Sequence, residues 1–370
     1  MGSEVMAMWD PGIRGVTRWV SGLARVALCA AVALASTAAG DEFSRSGDQD
    51  ILVVRAPAGS EREAEWSESR ASGLGSIARV SHGVIFDPRR LPGRLAAERL
   101  GPIWQSGTEL ERRELFVASA ARYEVIVTQV PEQAYTYWRI ARNYWRQGET
   151  LPVEAQEERL RYFELAEQWS ERGLSTDPDC GACMLWKFVS LGRQATTRGL
   201  LSAVPDAREM DRLLRRAIEL QPAHRDNPGN STLGNLYYAA SVFYRIVPDW
   251  WWLRVFVGIR GDKERAVDYA RRAVESSRVR VDYRIELGAS LLCLGRDRDQ
   301  PERLTEGIVV LREALKLPDY LSTDAVDRRH AQILLEAPHR ACGYSRDGFI
   351  DLDALGQQAR SGRGPGDRPG

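Results

Sequence analysis

The feature that most constrains this chain is a recurring set of small residues among large ones at helical spacing. The clearest copy runs from Ala134 to Gly148. With Gly148 at position 15 of a 34-residue helix–turn–helix unit, Tyr137, Ile140, Ala141 and Tyr144 fall at positions 4, 7, 8 and 11. A small residue at position 8 lets a second helix approach closely, and the large ones fill the space around it. Leu287, Gly288, Leu291 and Gly295 give positions 7, 8, 11 and 15 of another unit, and Leu233, Gly234 and Tyr237 give 7, 8 and 11 of a third. Second helices follow the same logic. Ala166 and Gly173 stand at positions 20 and 27, as do Ala266 and Ala273, and Gly307 and Ala314. Ala217 and Pro222 mark a further unit, whose first helix around Cys183 to Gly192 fits poorly.

This pattern resembles the tetratricopeptide repeat. It predicts an all-α fold: a right-handed solenoid of helical hairpins with about four divergent repeats. Position 32 falls at 178, 222, 278 and 319, so the spacings are 44, 56 and 41 rather than 34. The surplus lies between positions 15 and 20, at the turn inside each hairpin: about 13 residues in the first unit, about 20 in the third, about 7 in the fourth. Recurring insertions there enlarge one edge of the array, a common way to build a binding face.

The repeats occupy only part of the chain. Arg14, Arg18 and Arg25 precede an apolar run at 26–35 and the small residues Ser36 to Gly40, the build of an export signal over 1–40. An uncleaved anchor is the alternative; a span needs about 20 apolar residues, and Arg25 interrupts the longer window. Leu28 before Cys29 does not suit lipidation. Residues 41–105 read as a polar, partly disordered tether. Thr108 and Glu111 form a capping box that predicts a helix start. The repeat domain is expected over 106–337, then a docked segment and a disordered tail over 338–370. The expected location is periplasmic or otherwise exported.

Charge excludes one class of partner. Lys and Arg total 51, as do Asp and Glu, which gives no basic surface for nucleic acid. All but three of the cations are arginines, interspersed with acids along the helices as on a salt-laced solenoid surface.

Few motifs suggest chemistry. Cys180-Gly-Ala-Cys183 could form a disulfide or a redox pair, but its helical surroundings lack the βαβ context of a thiol oxidoreductase. Cys293 and Cys342 complete an even set, with pairing open. Ser345-Arg-Asp-Gly348 resembles the middle of a calcium loop. Alignment on Gly348 puts Gly343 and Ala354 where end ligands are needed, which rejects calcium and leaves a turn. His82, His224, His330 and His339 have no metal spacing. No metal or cofactor is expected, nor any enzymatic activity.

Two sets of residues point to binding. Inner-face positions 5, 9 and 12 carry Trp138, Arg142 and Trp145 in the first unit, and Ser231, Asn235 and Tyr238 in the third. They could recognise a peptide or an organic anion, or the tryptophans could pack on the preceding helix. Trp250, Trp251 and Trp252 sit in the longest insertion, 247–261. Three adjacent tryptophans cannot all enter one core. The insertion could pack inward, meet a partner chain or apolar ligand, or dip into a membrane surface beside Arg245, Arg254 and Arg260.

Residues 137–317 also resemble the divergent tetratricopeptide proteins related to the T component of TRAP transporters. The resemblance rests on Asp177-Pro-Asp-Cys180 leading into a helix with Trp186, on Arg245-Ile-Val-Pro248, and on Gly261-Asp-Lys-Glu-Arg-Ala266. It implies an exported bacterial solenoid that binds a partner or a small hydrophobic ligand. The expectation is a non-enzymatic adaptor for a protein or peptide. A small-molecule-binding accessory protein of a TRAP-type uptake system is one alternative, and a thiol redox protein another.

Overall fold

The computed structural model describes residues 94–355 apart from positions 228, 252, 322 and 353. The expected export signal, the tether up to residue 93, Trp252 and the tail beyond 355 lie outside the described residues. The described helices are α1 (Arg94–Arg112), α2 (Phe116–Gln129), α3 (Ala134–Thr150), α4 (Gln156–Thr176), α5 (Gly181–Arg198), α6 (Ala207–Glu219), α7 (Thr232–Ile246), α8 (Lys263–Ser276), α9 (Val281–Asp297), α10 (Pro301–Ala314) and α11 (Asp324–Glu336). Two small antiparallel ladders interrupt them: β1 (Arg225–Asn227) with β2 (Asn230–Ser231), and β3 (Tyr344–Ser345) with β4 (Gly348–Phe349).

The hairpins α3/α4, α5/α6, α7/α8 and α9/α10 coincide with the four expected units, including the poorly fitting second one. Each helix packs on the next, and the first helices α3, α5, α7 and α9 also pack on one another in succession. The fold is therefore an all-α solenoid of tetratricopeptide-like hairpins. The pair α1/α2 precedes it, and α11 takes the next place against α9. Apolar clusters follow the array, from Leu100, Tyr123 and Ile140 at one end, through Leu214, Leu236 and Phe243, to Ile285, Leu311 and Leu334 at the other.

Two expectations are corrected. Thr108 does not start a helix: α1 begins at Arg94, within the stretch read as tether, and the Thr108 hydroxyl donates to the Trp104 carbonyl at 3.1 Å. Fully buried Leu100, packed with Ala120, Tyr123 and Ile126, supplies tertiary contacts that carry the helix past the local start signal. Second, most of the surplus is not looped out. In the first unit only residues 151–155 separate α3 from α4, and in the fourth only 298–300 separate α9 from α10. The surplus lengthens the helices, because 156–165 is rich in Glu, Arg and Leu, which favour helix. The third unit alone carries a large irregular insertion, 247–262. Pro248 cannot continue α7, and Asp262 caps α8 by accepting from the Arg265 amide at 3.0 Å.

Close approach explains the small positions. A Cβ on Gly288 would lie 2.6 Å from Leu311 Cγ and 3.3 Å from the Gly307 carbonyl oxygen, so α9 and α10 touch backbone to side chain. Gly288→Val is expected to destabilise the chain by about 1–3 kcal/mol through overpacking. Thermal unfolding with the disulfides intact measures this; an unchanged melting temperature would contradict the close α9–α10 contact.

Candidate functional site

Of the inner-face residues of the first unit, Arg142 and Trp138 are drawn into a largely buried ionic cluster. Arg139, Arg142 and Arg146 lie along one face of α3, at spacings of three and four. Glu111, near the end of α1, pairs with Arg139 at 3.1 Å, with Arg142, and with Arg146 at 3.6 Å. Asp226 of β1 reaches back from the α6–α7 connection to pair with Arg139 at 3.1 Å and with Arg142. His224 lies 3.3 Å from the same carboxylate. Arg142 also covers the Trp138 ring, 5.0 Å from its centroid. Trp138 is buried, with Tyr135 and His224 at 4.9 and 5.0 Å between ring centroids. Trp145 meets Trp186 edge-on at 5.5 Å. Trp138 and Arg142 thus face neighbouring parts of the chain and not open solvent. Glu111, read as half of a capping box, is the buried counter-ion.

Burial by itself would raise the carboxyl pKa values here. The arginines outweigh it. Glu111 is held below its ordinary 4.5 by Arg139, Arg142 and Arg146. Asp226 is held far below its ordinary 3.8 by Arg142, the His224 bond and Arg139. Burial pushes the Tyr135 phenol up to about 12.

In the third unit, Asn235 accepts from the Tyr283 hydroxyl at 2.7 Å and donates to Asn230 at 2.9 Å. Tyr238 stacks on Tyr283 at 5.5 Å, and burial raises its phenol pKa strongly. Arg280 and Asp282 form a buried bidentate pair beside them. In the fourth unit the matching inner-face residues are Ile285, Ala289 and Leu292, covered by α11 and by Ala341 and Tyr344.

That cover is the segment after α11. A 3-10 turn, Pro338–Gly343, leads into the β3–β4 hairpin. Arg245 of α7 is 1% exposed and makes a double hydrogen bond to Glu286 of α9, which is 0% exposed, at 2.9 and 2.8 Å. Its remaining nitrogen donates to the carbonyls of Ala341 and Cys342 at 2.9 and 3.0 Å. Ser241 and Ser290 donate to Glu286 at 3.0 and 2.9 Å. Arg245 is therefore core, so it does not serve the membrane-surface alternative for the insertion. The hairpin tip extends further. Asp347 accepts from Arg159 at the start of α4, at 2.9 Å, and from Arg193 of α5, at 2.8 Å. Arg193 and Arg159 hold its carboxyl below the usual range against the opposing effect of burial. Arg346 pairs with Asp327 of α11 at 3.1 Å. The segment thus crosses from α9 and α7 to α5 and α4, along the side of the array where the first helices meet.

The expected turn at Asp347-Gly348 is present and docked. Residue type alone does not single out Arg159, Arg193, Arg245, Asp226 or Asp347; the usable signal is the acid–Gly turn in a region otherwise poor in pattern. Cys180 pairs with Cys183, and Cys293 with Cys342. Both Cys180 and Cys183 are buried beneath Trp138 and Ala134. In the insertion, Leu253 is buried while Trp251, Val255 and Phe256 are exposed. Among the described residues no group of His, Cys, Asp and Glu is arranged to hold a metal ion, and no helix is long and apolar enough to cross a membrane.

Comparison with known proteins adds a partial likeness. The family model for regulator of microtubule dynamics protein 1-3 matches residues 111–243, less than half of the chain. This part is similar to that family and runs from Glu111 through α7. No curated protein matches. Among solved structures, a monomeric mutant of IFIT1 with Gppp-AAAA is similar at 14% identity and a TM-score of 0.43. The match covers 68% of this chain and 50% of that one, so this chain spans about half the length of the IFIT1 chain.

Breaking the Arg245–Glu286 pair from one side leaves a buried charge unpaired. Arg245→Met or Glu286→Gln alone is expected to cost about 3–5 kcal/mol, and Arg245→Met with Glu286→Leu to recover most of it. Urea denaturation of the three variants measures this, and equal losses in all three would contradict it. The depressed Glu111, Asp226 and Asp347 carboxyls stabilise the fold above the ordinary carboxylate range. That stabilisation is lost as pH falls through their lower folded values. Melting temperature should therefore drop on acidification below about pH 4.5. Asp226→Asn should flatten that drop, and a parallel pH profile would oppose the assignment.

Proposed function

We propose that the protein is an exported, non-enzymatic tetratricopeptide-like adaptor that binds an extended polypeptide segment across its first helices. One observation carries this reading. That side of the array already holds a piece of chain, its own residues 338–350, a 3-10 turn and a small hairpin, by means that a partner segment could use. Arg245 captures two backbone carbonyls, and Arg159 with Arg193 clamps a carboxylate. Backbone capture with a charged anchor is a general mode of peptide recognition. The partner segment expected is one with an acidic side chain that takes the place of Asp347.

The likeness to the T component of TRAP transporters supplies the second reading, a small-molecule accessory role. It receives less support from the described surface. The depression lined by Glu164, Glu167, Glu171, Arg172 and Lys187 is open and charged, unlike the apolar walls that hold a hydrophobic molecule. A redox role is opposed by the burial of Cys180 and Cys183, since exchange requires an accessible sulfur.

Full-length Asp347→Ala frees the clamp while the Cys293–Cys342 bond keeps the base of the segment in place. A labelled peptide of residues 344–352 is expected to bind this variant at least ~10-fold more tightly than the parent, because intramolecular competition is removed. Arg159→Glu with Arg193→Glu, added to that variant, should abolish binding. Equal affinity of Asp347→Ala and parent would sink the reading.

A further inference from the structure

We propose that the insertion between α7 and α8 is a wedge that docks the protein on an anionic phospholipid surface. This goes beyond the adaptor reading and uses a different part of the chain, so either can fail alone.

The insertion has a fixed base. The Gly261 amide donates to the Pro248 carbonyl at 3.3 Å, and the Asp262 amide to the Tyr244 carbonyl at 3.0 Å. A Cβ on Gly261 would stand 1.9 Å from the Val247 carbonyl oxygen, so the two ends of the insertion meet backbone to backbone. Leu253 and Ile259 are buried, and Arg208 of α6 donates to the Val257 carbonyl at 2.9 Å. These contacts fix a short π-helical turn, Leu253–Val257, whose Leu253 is buried while Arg254, Val255 and Phe256 are exposed.

Its tip is apolar without apparent structural need. Trp251, Val255 and Phe256 are 67%, 64% and 59% exposed, the most exposed large hydrophobic residues described. The Trp251 and Phe256 rings lie 6.2 Å apart and form one patch. Exposed aromatic residues on a held projection mark a contact surface.

Charge selects the occupant. Arg254 lies within the same turn and Arg260 just after it, both exposed, and no ion pair involves either among the described residues. Arg208 is exposed at the base; the acids of the insertion are Asp249, which is exposed, and Asp262, which caps α8 and pairs with Arg265. Trp and Phe beside unpaired arginines suit the boundary between headgroups and acyl chains, where aromatic rings reside and arginines meet lipid phosphates. A negative lipid surface attracts each nearby arginine by an amount worth about fivefold in partitioning.

Flotation of the full-length chain with two kinds of vesicle tests this: phosphatidylcholine alone, and an equimolar mixture with phosphatidylglycerol. The parent is expected to float with the mixed vesicles, and more weakly as salt rises. Trp251→Ser with Phe256→Ser should reduce partitioning about tenfold or more, since two buried aromatic groups are lost. Arg254→Gln with Arg260→Gln should reduce it about 25-fold on the mixed vesicles and leave the neutral ones unchanged. Brominated lipid should quench the parent's fluorescence more than that of Trp251→Phe, which keeps the apolar contact and loses the reporter. These side chains are exposed, so unchanged circular dichroism melts exclude misfolding. Equal flotation of the parent and the Trp251→Ser, Phe256→Ser variant would overturn the proposal. So would absence of vesicle binding by the parent, including the case in which the same variant loses a polypeptide partner instead.

Discussion

The architecture turns on one buried ion pair. Arg245 and Glu286 lie where α7, α9 and the segment after α11 converge, and neither reaches solvent. Two such charges are tolerable only if their donors and acceptors are matched, because desolvation otherwise exceeds their attraction. The match here is close. Glu286 takes two arginine bonds and two serine hydroxyls, and Arg245 sends its remaining nitrogen to two backbone carbonyls. Those carbonyls belong to the Pro338–Gly343 turn, so the pair also sets where the chain leaves the end of the array. The hairpin that follows is then aimed at Arg159 and Arg193.

Arrays of helical hairpins are ordinarily held by contacts between neighbours. This one adds links between parts far apart in sequence. Asp347 joins α4 and α5 to the last segment, and Asp226 joins α3 to the α6–α7 connection. Each link uses arginine, whose planar fork can meet two partners at once. The abundance of arginine thus has a structural role at Arg139, Arg142, Arg159, Arg193, Arg245 and Arg280, while most other arginines among the described residues are at least partly exposed.

The hairpins were readable because their signal is local. Ala141, Gly234 and Gly288 mark where a neighbouring helix approaches: Gly288 meets Gly307 and Leu311 of α10, and Gly234 meets Ser276 at the end of α8. Helix ends were less readable. Leu100 lengthens α1 through contacts with α2 that no local rule contains, and the long α3 and α4 pass through what spacing alone presents as a turn. The inner-face residues were placed on the right elements, with an open groove and packing of the tryptophans against the chain itself both allowed, and Trp138 is buried. Trp138 and Arg142 sit at positions that face outward in an isolated hairpin, but Glu111 and Asp226 arrive from either side in sequence to cover them. Such closures have no period, so a pattern search passes over them. Trp251 differs: three adjacent tryptophans cannot all enter one core, and it is exposed.

The Cys293–Cys342 bond turns the last part of the array into a ring. It spans 49 residues and encloses α10 and α11 within one covalent loop. In an open array the terminal hairpin is the first to fray, since it has a neighbour on one side only. A ring cannot peel. Closing a loop of that size removes about 4 kcal/mol of freedom from the unfolded chain. Fraying is then favoured at the other end, where α1 and α2 carry no disulfide among the described residues. A pull applied at the two termini would therefore meet a soft end and a hard end, and the enclosed helices would be the last to yield.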